Sequence, residues 1–286
     1  IEILQKTVEN LINTRQQLRK VFTGQQNLEN KIQVRTQELT VERDKSEKLL
    51  LNILPASVAD ELKARGAAEP IHFDSVTVLF TDFVGFTKIA ERLSPTELVG
   101  ELDKCFSYFD AVAQKYGLEK LKTIGDAYMA AGGIPDANHT HALDSVLAAL
   151  QMQHFMLHMK KEKEAKNLPF WQIRLGIHTG PLVAGVIGTE KFSYDVWGDT
   201  VNTASRMESS GSPELVNISK ATYELVQNFF ICEYRGKLVA KNKGEIDMYF
   251  VKRLKPEFSE DFAGILPNQR LMAARAQWSG GRVEAA

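Results

Sequence analysis

The chain has few of the features that mark secreted, zinc-binding or nucleic-acid-binding proteins. Its 286 residues include two cysteines, Cys105 and Cys232, with no CxxC spacing, so we expect neither a disulfide framework nor a zinc site. The formal net charge of -1 argues against nucleic acid as the main partner. No apolar run reaches the length that crosses a bilayer, and no signal peptide is visible.

The residues that are present describe an ordinary globular protein. Hydrophobic residues make up 44% of the chain and charged residues 25%, and both values are usual for a soluble protein. Because the chain starts at Ile1 rather than at a methionine, we interpret it as a fragment of a larger protein.

The first fifty residues have the pattern of a coiled coil. Proline is absent before Pro55, and Gly24 is the only glycine in this stretch. Apolar residues recur at spacings of three and four, although polar residues interrupt the stripe: Leu4, Val8, Leu11, Leu18, Phe22, Ile32, Leu39 and Leu50. The pattern favours a long parallel dimer helix over its alternative, a surface helix packed on its own domain.

The following segment predicts an α+β fold. The run from Ser75 to Asp82 has strand character, and the capping signal Ser94-Pro-Thr-Glu97 begins a helix. Two strands flank Gly125-Asp126, a second helix spans about 139–163, and a strand follows. This order, βαββαβ, predicts a ferredoxin-like sheet with both helices on one face.

This topology places two carboxylates side by side. The first and third strands of such a sheet are antiparallel neighbours, Asp82 closes the first, and Asp126 opens the third. A lone aspartate at a strand end usually caps a turn. Two that meet beside the Val84-Gly85-Phe86-Thr87 turn would repel each other unless a cation lay between them, so a divalent metal that holds a polyphosphate is favoured.

With these motifs in order, the chain resembles the class III nucleotidyl cyclases, which convert a nucleoside triphosphate into its 3′,5′-cyclic monophosphate and pyrophosphate. The resemblance covers about residues 75–254 and rests on four blocks: Phe80-Thr-Asp-Phe-Val-Gly-Phe-Thr87, Lys122-Thr-Ile-Gly-Asp-Ala-Tyr-Met129, Gly176-Ile-His-Thr-Gly180 and Tyr194-Asp-Val-Trp-Gly-Asp-Thr-Val-Asn-Thr-Ala-Ser-Arg206.

The resemblance implies a metal and phosphate site. Asp82 and Asp126 would bind two divalent cations, Mg or Mn, with help from the Phe83 carbonyl. Backbone amides would cradle the triphosphate, and a glycine would let the main chain approach it closely; the residues are Phe83, Val84, Gly85, Phe86 and Thr87.

The resemblance also implies a catalytic set. Arg206 matches the arginine that stabilises charge at the α-phosphate, and Asn202 matches the asparagine that orients the ribose. Lys241 matches the lysine that reaches the terminal phosphates, with Lys243 as its substitute. Taken alone, Arg206 or Lys241 would be read as a solvated surface charge.

Base selection is inferred from two positions. Lys122 and Asp195 occupy the family positions that read the base, and an amine with a carboxylate matches the adenine edge, so the sequence predicts an adenylate cyclase that uses ATP. Taken alone, Lys122 would be an exposed strand residue. One feature points the other way, because residues 198–208 look more like the guanylate-cyclase version of this block.

The family builds its sites between two catalytic domains, and this chain carries both halves. We therefore predict a head-to-tail homodimer, with residues 1–54 as a dimeric coiled-coil signalling helix, 55–74 as a short helix and linker, 75–255 as the catalytic domain and 256–286 as a C-terminal tail. The expected location is cytoplasmic, in a parent protein whose upstream sensor or membrane module is absent from this chain. Alternatives are a guanylate or dual-specificity cyclase and a catalytically silent signalling module.

Overall fold

The computed structural model describes residues 2–188, 191–240 and 244–279. The chain divides into two compact units, residues 1–64 and 65–286. Within the described residues, no helix combines the length and the apolar character that a bilayer span requires.

The first unit is dominated by one long helix, as the sequence predicts. Helix α1 spans Glu2–Leu51, and α2 spans Ala56–Arg65. An ion pair of 2.8 Å between Lys63 Nζ and Glu47 Oε1 ties the second helix to the end of the first. The apolar side chains of the seam are exposed along α1 except for the half-buried Leu50, and Phe22 is 63% exposed. A coiled-coil partner would cover that surface, and the dimer remains a prediction.

The second unit contains one mixed sheet. Its strands are β1 Ile71–Val84, β2 Glu119–Ile124, β3 Ala127–Gly132, β4 Gln172–Ile187, β5 Ser193–Trp197, β6 Val216–Ser219, β7 Phe230–Ala240 and β8 Gly244–Leu254. Its helices are α3 Phe86–Ala90, α4 Pro95–Tyr116, α5 His141–Ala165, α6 Asp199–Ser209, α7 Lys220–Val226 and α8 Gln269–Ser279.

The sheet has the predicted ferredoxin-like centre. Its strand order is β2-β3-β1-β4-β6-β8-β7, with β5 paired to β4, so the first four strands follow the order that the βαββαβ pattern predicts. Strand β1 begins at Ile71, inside the segment predicted as a linker, because β4 continues past Pro181 and pairs with it. Pro181 lies opposite an irregularity between Phe73 and Val76, where a missing N–H removes no regular ladder bond.

The two long helices cover one face of the sheet, as predicted. Helix α4 begins at the expected capping box, in which the Ser94 side chain accepts from the Glu97 amide and Glu97 bonds back to Ser94. The core cluster joins residues of α4 and α5 to alternate residues of the strands, such as Leu79 and Leu175. Gly176 lies between Leu175 and Ile177 on β4 and faces the opposite side of the sheet, where α6 packs.

A buried histidine ties the start of α5 to the sheet. His141 is 5% exposed; its Nδ1 lies 2.7 Å from Thr77 Oγ1 and its Nε2 lies 3.3 Å from Ser75 Oγ. Burial, aided by the nearby His139, lowers the pKa of His141 from 6.5 to about 4. The imidazole is therefore neutral in the folded protein at neutral pH.

This histidine predicts a pH dependence of stability. The unfolded chain takes up a proton near pH 6.5 and the folded chain only near pH 4, so the folded state loses up to about 3 kcal/mol as the pH falls through that window. We expect His141→Gln to flatten the curve of unfolding free energy against pH between these values. The exposed His154→Gln, on the same helix, is the matched control and should keep the slope; an unchanged slope in His141→Gln would contradict the assignment.

The C-terminal segment packs against the domain. Arg275 Nε and Nη2 lie 2.5 and 3.2 Å from the two carboxylate oxygens of Asp144, whose side chain is 4% exposed. The Trp278 ring meets Phe229 edge-on at 5.0 Å, and Leu271 is fully buried. Helix α8 is therefore part of the core, although the sequence of this tail gave no signal of its role.

Candidate active site

The two predicted metal acids lie next to each other. Asp82 is near the end of β1, Asp126 is in the turn between β2 and β3, and the pairing of Thr81 with Tyr128 brings these ends together. Burial raises the pKa of Asp126, and the neighbouring Asp82 side chain raises it further. Two carboxylates placed next to each other attract cations.

Two further residues of this site were missed by sequence reasoning. Arg174 on β4 lies opposite Asp82 in the ladder, and its Nη2 is 2.7 Å from Asp82 Oδ2. Its Nε is 3.0 Å from Glu208 Oε1 at the end of α6. The only available signal was their position, since Arg174 lies two residues before Gly176 and Glu208 closes the block that begins at Gly198.

Glu208 is held in an unusual electrostatic environment. Its side chain is 11% exposed, and burial raises its pKa to about 7, against the lowering effect of Arg174. The charges of Asp82 and Asp126 contribute to this raised pKa. Among the described residues, Arg174 is the cation that pairs with Asp82 and Glu208 and offsets their charge.

The residues fit a hard divalent cation. Within the described ranges, no group of three or more histidine, cysteine, aspartate or glutamate side chains is arranged to hold a metal. Asp82 and Asp126 would supply two carboxylates, and Mg²⁺ commonly completes such a set with waters, carbonyls and substrate phosphates. Phe83 follows Asp82, and its ring is 2% exposed and stacks on Trp171 at 5.3 Å, which fixes the main chain at this strand end.

A tight turn follows the first acid. Gly85 has φ 70° and precedes α3, which starts at Phe86; this left-handed conformation suits glycine. Amides in the first turn of a helix have no acceptor inside that helix. The turn from Val84 to Thr87 therefore brings amides to the end of the strand that carries Asp82, where the sequence predicts a phosphate cradle.

The two base-reading candidates contact each other. Lys122 Nζ on β2 forms an ion pair with Asp195 Oδ2 on β5, and the two side chains are 39% and 13% exposed. The amide of Val196 donates to Asp195 Oδ1 at 2.9 Å, which fixes the orientation of the carboxylate. The Lys122 amine and the Asp195 carboxylate thus lie together. The lysine side chain is long and flexible, whereas the carboxylate is held by the Val196 amide.

The catalytic candidates Asn202 and Arg206 are one turn apart on α6. Asn202 is exposed and Arg206 is partly buried. Among the residues that the structure describes, no ion pair joins Arg206 to Asp82 or Asp126; Asp82 is paired with Arg174 instead. Lys241, like its substitute Lys243, lies outside the described residues.

Residues 68–253 match the family model described as the adenylate and guanylate cyclase catalytic domain. The chain belongs to this family. The match spans every strand of the sheet except the last residue of β8, so the cyclase family accounts for the fold and for the order of the motifs.

The curated relatives of this cyclase domain are much longer proteins. Human guanylyl cyclase C is 35% identical over 283 residues, which cover 91% of this chain and 26% of the relative. Rat guanylate cyclase 2D is 40% identical over 82% of this chain and 21% of the relative. Human retinal guanylyl cyclase 2 is 41% identical over 79% of this chain and 20% of the relative. The chain thus spans about a quarter or less of their length.

Solved cyclase structures share the fold. The guanylate cyclase domain of RhGC from Catenaria anguillulae, in complex with GTP, is 34% identical with a TM-score of 0.59, over 65% of this chain and 100% of that chain. The adenylyl cyclase CyaB from P. aeruginosa is 27% identical with a TM-score of 0.63, over 67% and 100%.

The prediction of an adenylate cyclase was wrong. The curated relatives described above are guanylate cyclases by name, and they match the chain over most of its length. The prediction depended on Lys122 and Asp195, which contribute one small part of the domain. An ammonium on a flexible stem also donates to more than one acceptor of a purine edge, so this pair does not by itself decide the substrate.

Proposed function

We propose that this cyclase domain is a guanylate cyclase. In the reaction, the ribose 3′-oxygen of GTP attacks the α-phosphorus, and its proton passes to the solvent. The bond from that phosphorus to the bridging oxygen breaks, and cyclic GMP and pyrophosphate leave. The names of the relatives support GTP as the substrate, and the observation that carries a catalytic role is the position of Asp82 and Asp126 side by side at neighbouring strand ends.

The residues have distinct roles in this proposal. Asp82, Asp126 and the Phe83 carbonyl would hold two divalent cations, Mg or Mn, which when bound supply charge neutralisation and a more acidic 3′-hydroxyl. Amides of the Gly85 turn bind triphosphate oxygens. Arg206 stabilises the negative charge that develops around the α-phosphorus.

Substrate orientation completes the assignment. Asn202 holds the ribose so that the 3′-oxygen faces the phosphorus, and Lys241 binds the terminal phosphates. Lys122 and Asp195 bind the base edge, while Phe83, Val84, Phe86 and Thr87 shape the phosphate turn. Such positioning converts binding energy into rate, because the reacting atoms must lie within about 3.5 Å of each other.

We propose that two copies of the chain share each site. The absence of an ion pair between Arg206 and the acids, within the described residues, agrees with a site whose cationic half comes from a second copy. A head-to-tail homodimer would then hold two equivalent sites. The exposed seam of α1 would support this dimer as a coiled coil.

A second candidate is dual specificity for GTP and ATP. The ion pair of Lys122 with Asp195 favours it, because a donor and an acceptor in this arrangement match adenine N1 and N6. A related rhodopsin-guanylyl cyclase core with converted specificity is described in complex with ATPαS; it is 35% identical, with a TM-score of 0.59, over 64% of this chain and 98% of that chain.

The test is product formation from GTP and from ATP, measured side by side with Mg²⁺ and with Mn²⁺. We expect cyclic GMP from the unaltered chain, and cyclic AMP as well if the second candidate holds. The double variant Lys122→Glu with Asp195→Cys should lower ATP use relative to GTP use by about 10-fold or more, because it removes a charged donor and its matching acceptor.

Two results would count against this account. Absence of product from GTP would contradict the guanylate cyclase proposal. An unchanged ratio of GTP to ATP use in the double variant would contradict base reading by these two residues. Lys120→Glu is the matched control, since Lys120 lies on the same strand but pairs with Asp110, and it should leave the ratio unchanged.

A further inference from the structure

The last turn of α6 ends in carbonyl groups that need partners outside the helix. The Arg206 carbonyl accepts from the Ser210 amide at 3.0 Å, and the Glu208 carbonyl accepts from the Gly211 amide at 2.7 Å. The Met207 carbonyl lies between them in the chain. Helix ends leave such carbonyls without intrahelical donors, so the partner of Met207 determines how this turn is held.

That partner is a buried side chain from the sheet. Asn217 on β6 is 0% exposed, and its Nδ2 donates to the Met207 carbonyl at 2.7 Å. A carbonyl oxygen only accepts, so the amide nitrogen must face it. The same nitrogen lies 3.4 Å from Met248 Sδ, and within the described part of the chain Asn217 Oδ1 has no partner.

A fully buried amide with an unpartnered oxygen costs stability compared with an apolar residue of the same size. Because this cost is retained in a packed sheet, we look for a specific role of the Asn217 amide nitrogen. The bond it makes is directed at the residue between Arg206 and Glu208, and Glu208 in turn pairs with Arg174 beside Asp82. The amide is therefore connected to the candidate active site through one helical turn.

We infer that Asn217 is a positioning residue for catalysis: it fixes the last turn of α6 and thereby the direction of Arg206. This inference rests on the proposed role of Arg206. The last turn of α6 lies directly against the backbone of β4, because a Cβ added to Gly176 would lie 1.9 Å from the Glu208 amide nitrogen. The hydrogen bond from Asn217 to the Met207 carbonyl holds this last turn in place against the β4 backbone.

The test compares kcat and KM for Asn217→Ala, Arg206→Ala and the double variant, with the substrate that the unaltered chain uses. We expect Asn217→Ala to lower kcat by about 10- to 100-fold with KM changed less than about 3-fold, because a misplacement of about 1 Å acts on the transition state. In the Arg206→Ala background, Asn217→Ala should have almost no further effect on kcat.

A matched control separates positioning from general destabilisation. Thr222→Val also removes a buried side-chain hydrogen bond, since Thr222 is 0% exposed and bonds to Thr179 Oγ1 at 3.0 Å, away from α6. It should lower the unfolding midpoint and leave kcat unchanged. Asn217→Leu keeps the branching and the number of side-chain heavy atoms without the donor, and it serves in place of Asn217→Ala if the alanine variant does not fold.

The outcomes are distinguishable. If Arg206→Ala leaves kcat unchanged, the proposed function of this helix fails. If Arg206→Ala lowers kcat but the Asn217 variants behave like Thr222→Val, or lower kcat equally in both backgrounds, the positioning role of Asn217 is overturned and the proposed function stands.

Discussion

Asp82→Ala and Asp126→Ala should each lower cyclic nucleotide formation by about 1000-fold or more, because loss of one carboxylate from a two-metal site removes several kcal/mol of transition-state stabilisation. The variants should still fold. In Asp82→Ala, Arg174 keeps Glu208 as a partner at 3.0 Å, and removal of Asp82 relieves the repulsion that raises the pKa of Asp126.

Asp74→Ala is the matched control for this prediction. Asp74 lies on the same strand, β1, and its side chain is fully exposed. It should retain the activity of the unaltered chain. Binding of Mn²⁺ in the presence of a non-cyclisable nucleotide gives a second readout and should weaken in the Asp82 and Asp126 variants. Activity within about 10-fold of the unaltered chain in either variant would contradict a metal role, since this loss is far smaller than the one expected.

Gly176→Ala should have the largest effect on folding. The added Cβ would lie 1.9 Å from the Glu208 amide nitrogen and 2.4 Å from its Cα, and both are backbone atoms that no rotamer change can move. Because α6 would have to leave the sheet, we expect a loss of about 3 kcal/mol or more in unfolding free energy, at or above the upper end for overpacking. Turnover should fall with it, since Asn202 and Arg206 lie on this helix.

The control is Gly100→Ala in α4. Nothing lies within 4 Å of a Cβ added there, and alanine in a helix interior stabilises by about 0.5–1 kcal/mol relative to glycine. Chemical denaturation of both variants measures the difference. Equal stability of the two variants would show that α6 does not rest on the β4 backbone as described.

Local chemistry made the central fold predictable. The capping box at Ser94 and Glu97 defines the start of α4, and the turn at Gly125 defines the hairpin between β2 and β3. Once the strand order was inferred, the neighbouring positions of Asp82 and Asp126 followed from geometry. The resemblance to cyclases supplied the roles that geometry alone does not give.

Other parts depend on contacts between residues distant in sequence. In the sequence Arg174 is an ordinary strand residue. Its role depends on the pairing of β4 with β1 and on the position of Glu208 on α6. Helix α8 is fixed by Asp144, which precedes Arg275 by 131 residues. The prediction of adenine over guanine was wrong for a similar reason, because it used only two side chains of a site that many residues form.

The central claim is that metal acids of one copy act with Arg206 of another, and mixing Asp82→Ala chains with Arg206→Ala chains tests it most directly. Each variant alone should be nearly inactive. Equal amounts, allowed to exchange subunits, should recover about a quarter of the activity of the unaltered chain, because half of the dimers are mixed and each holds one intact site. A mixture no more active than its components, with subunit exchange verified, would contradict the shared site.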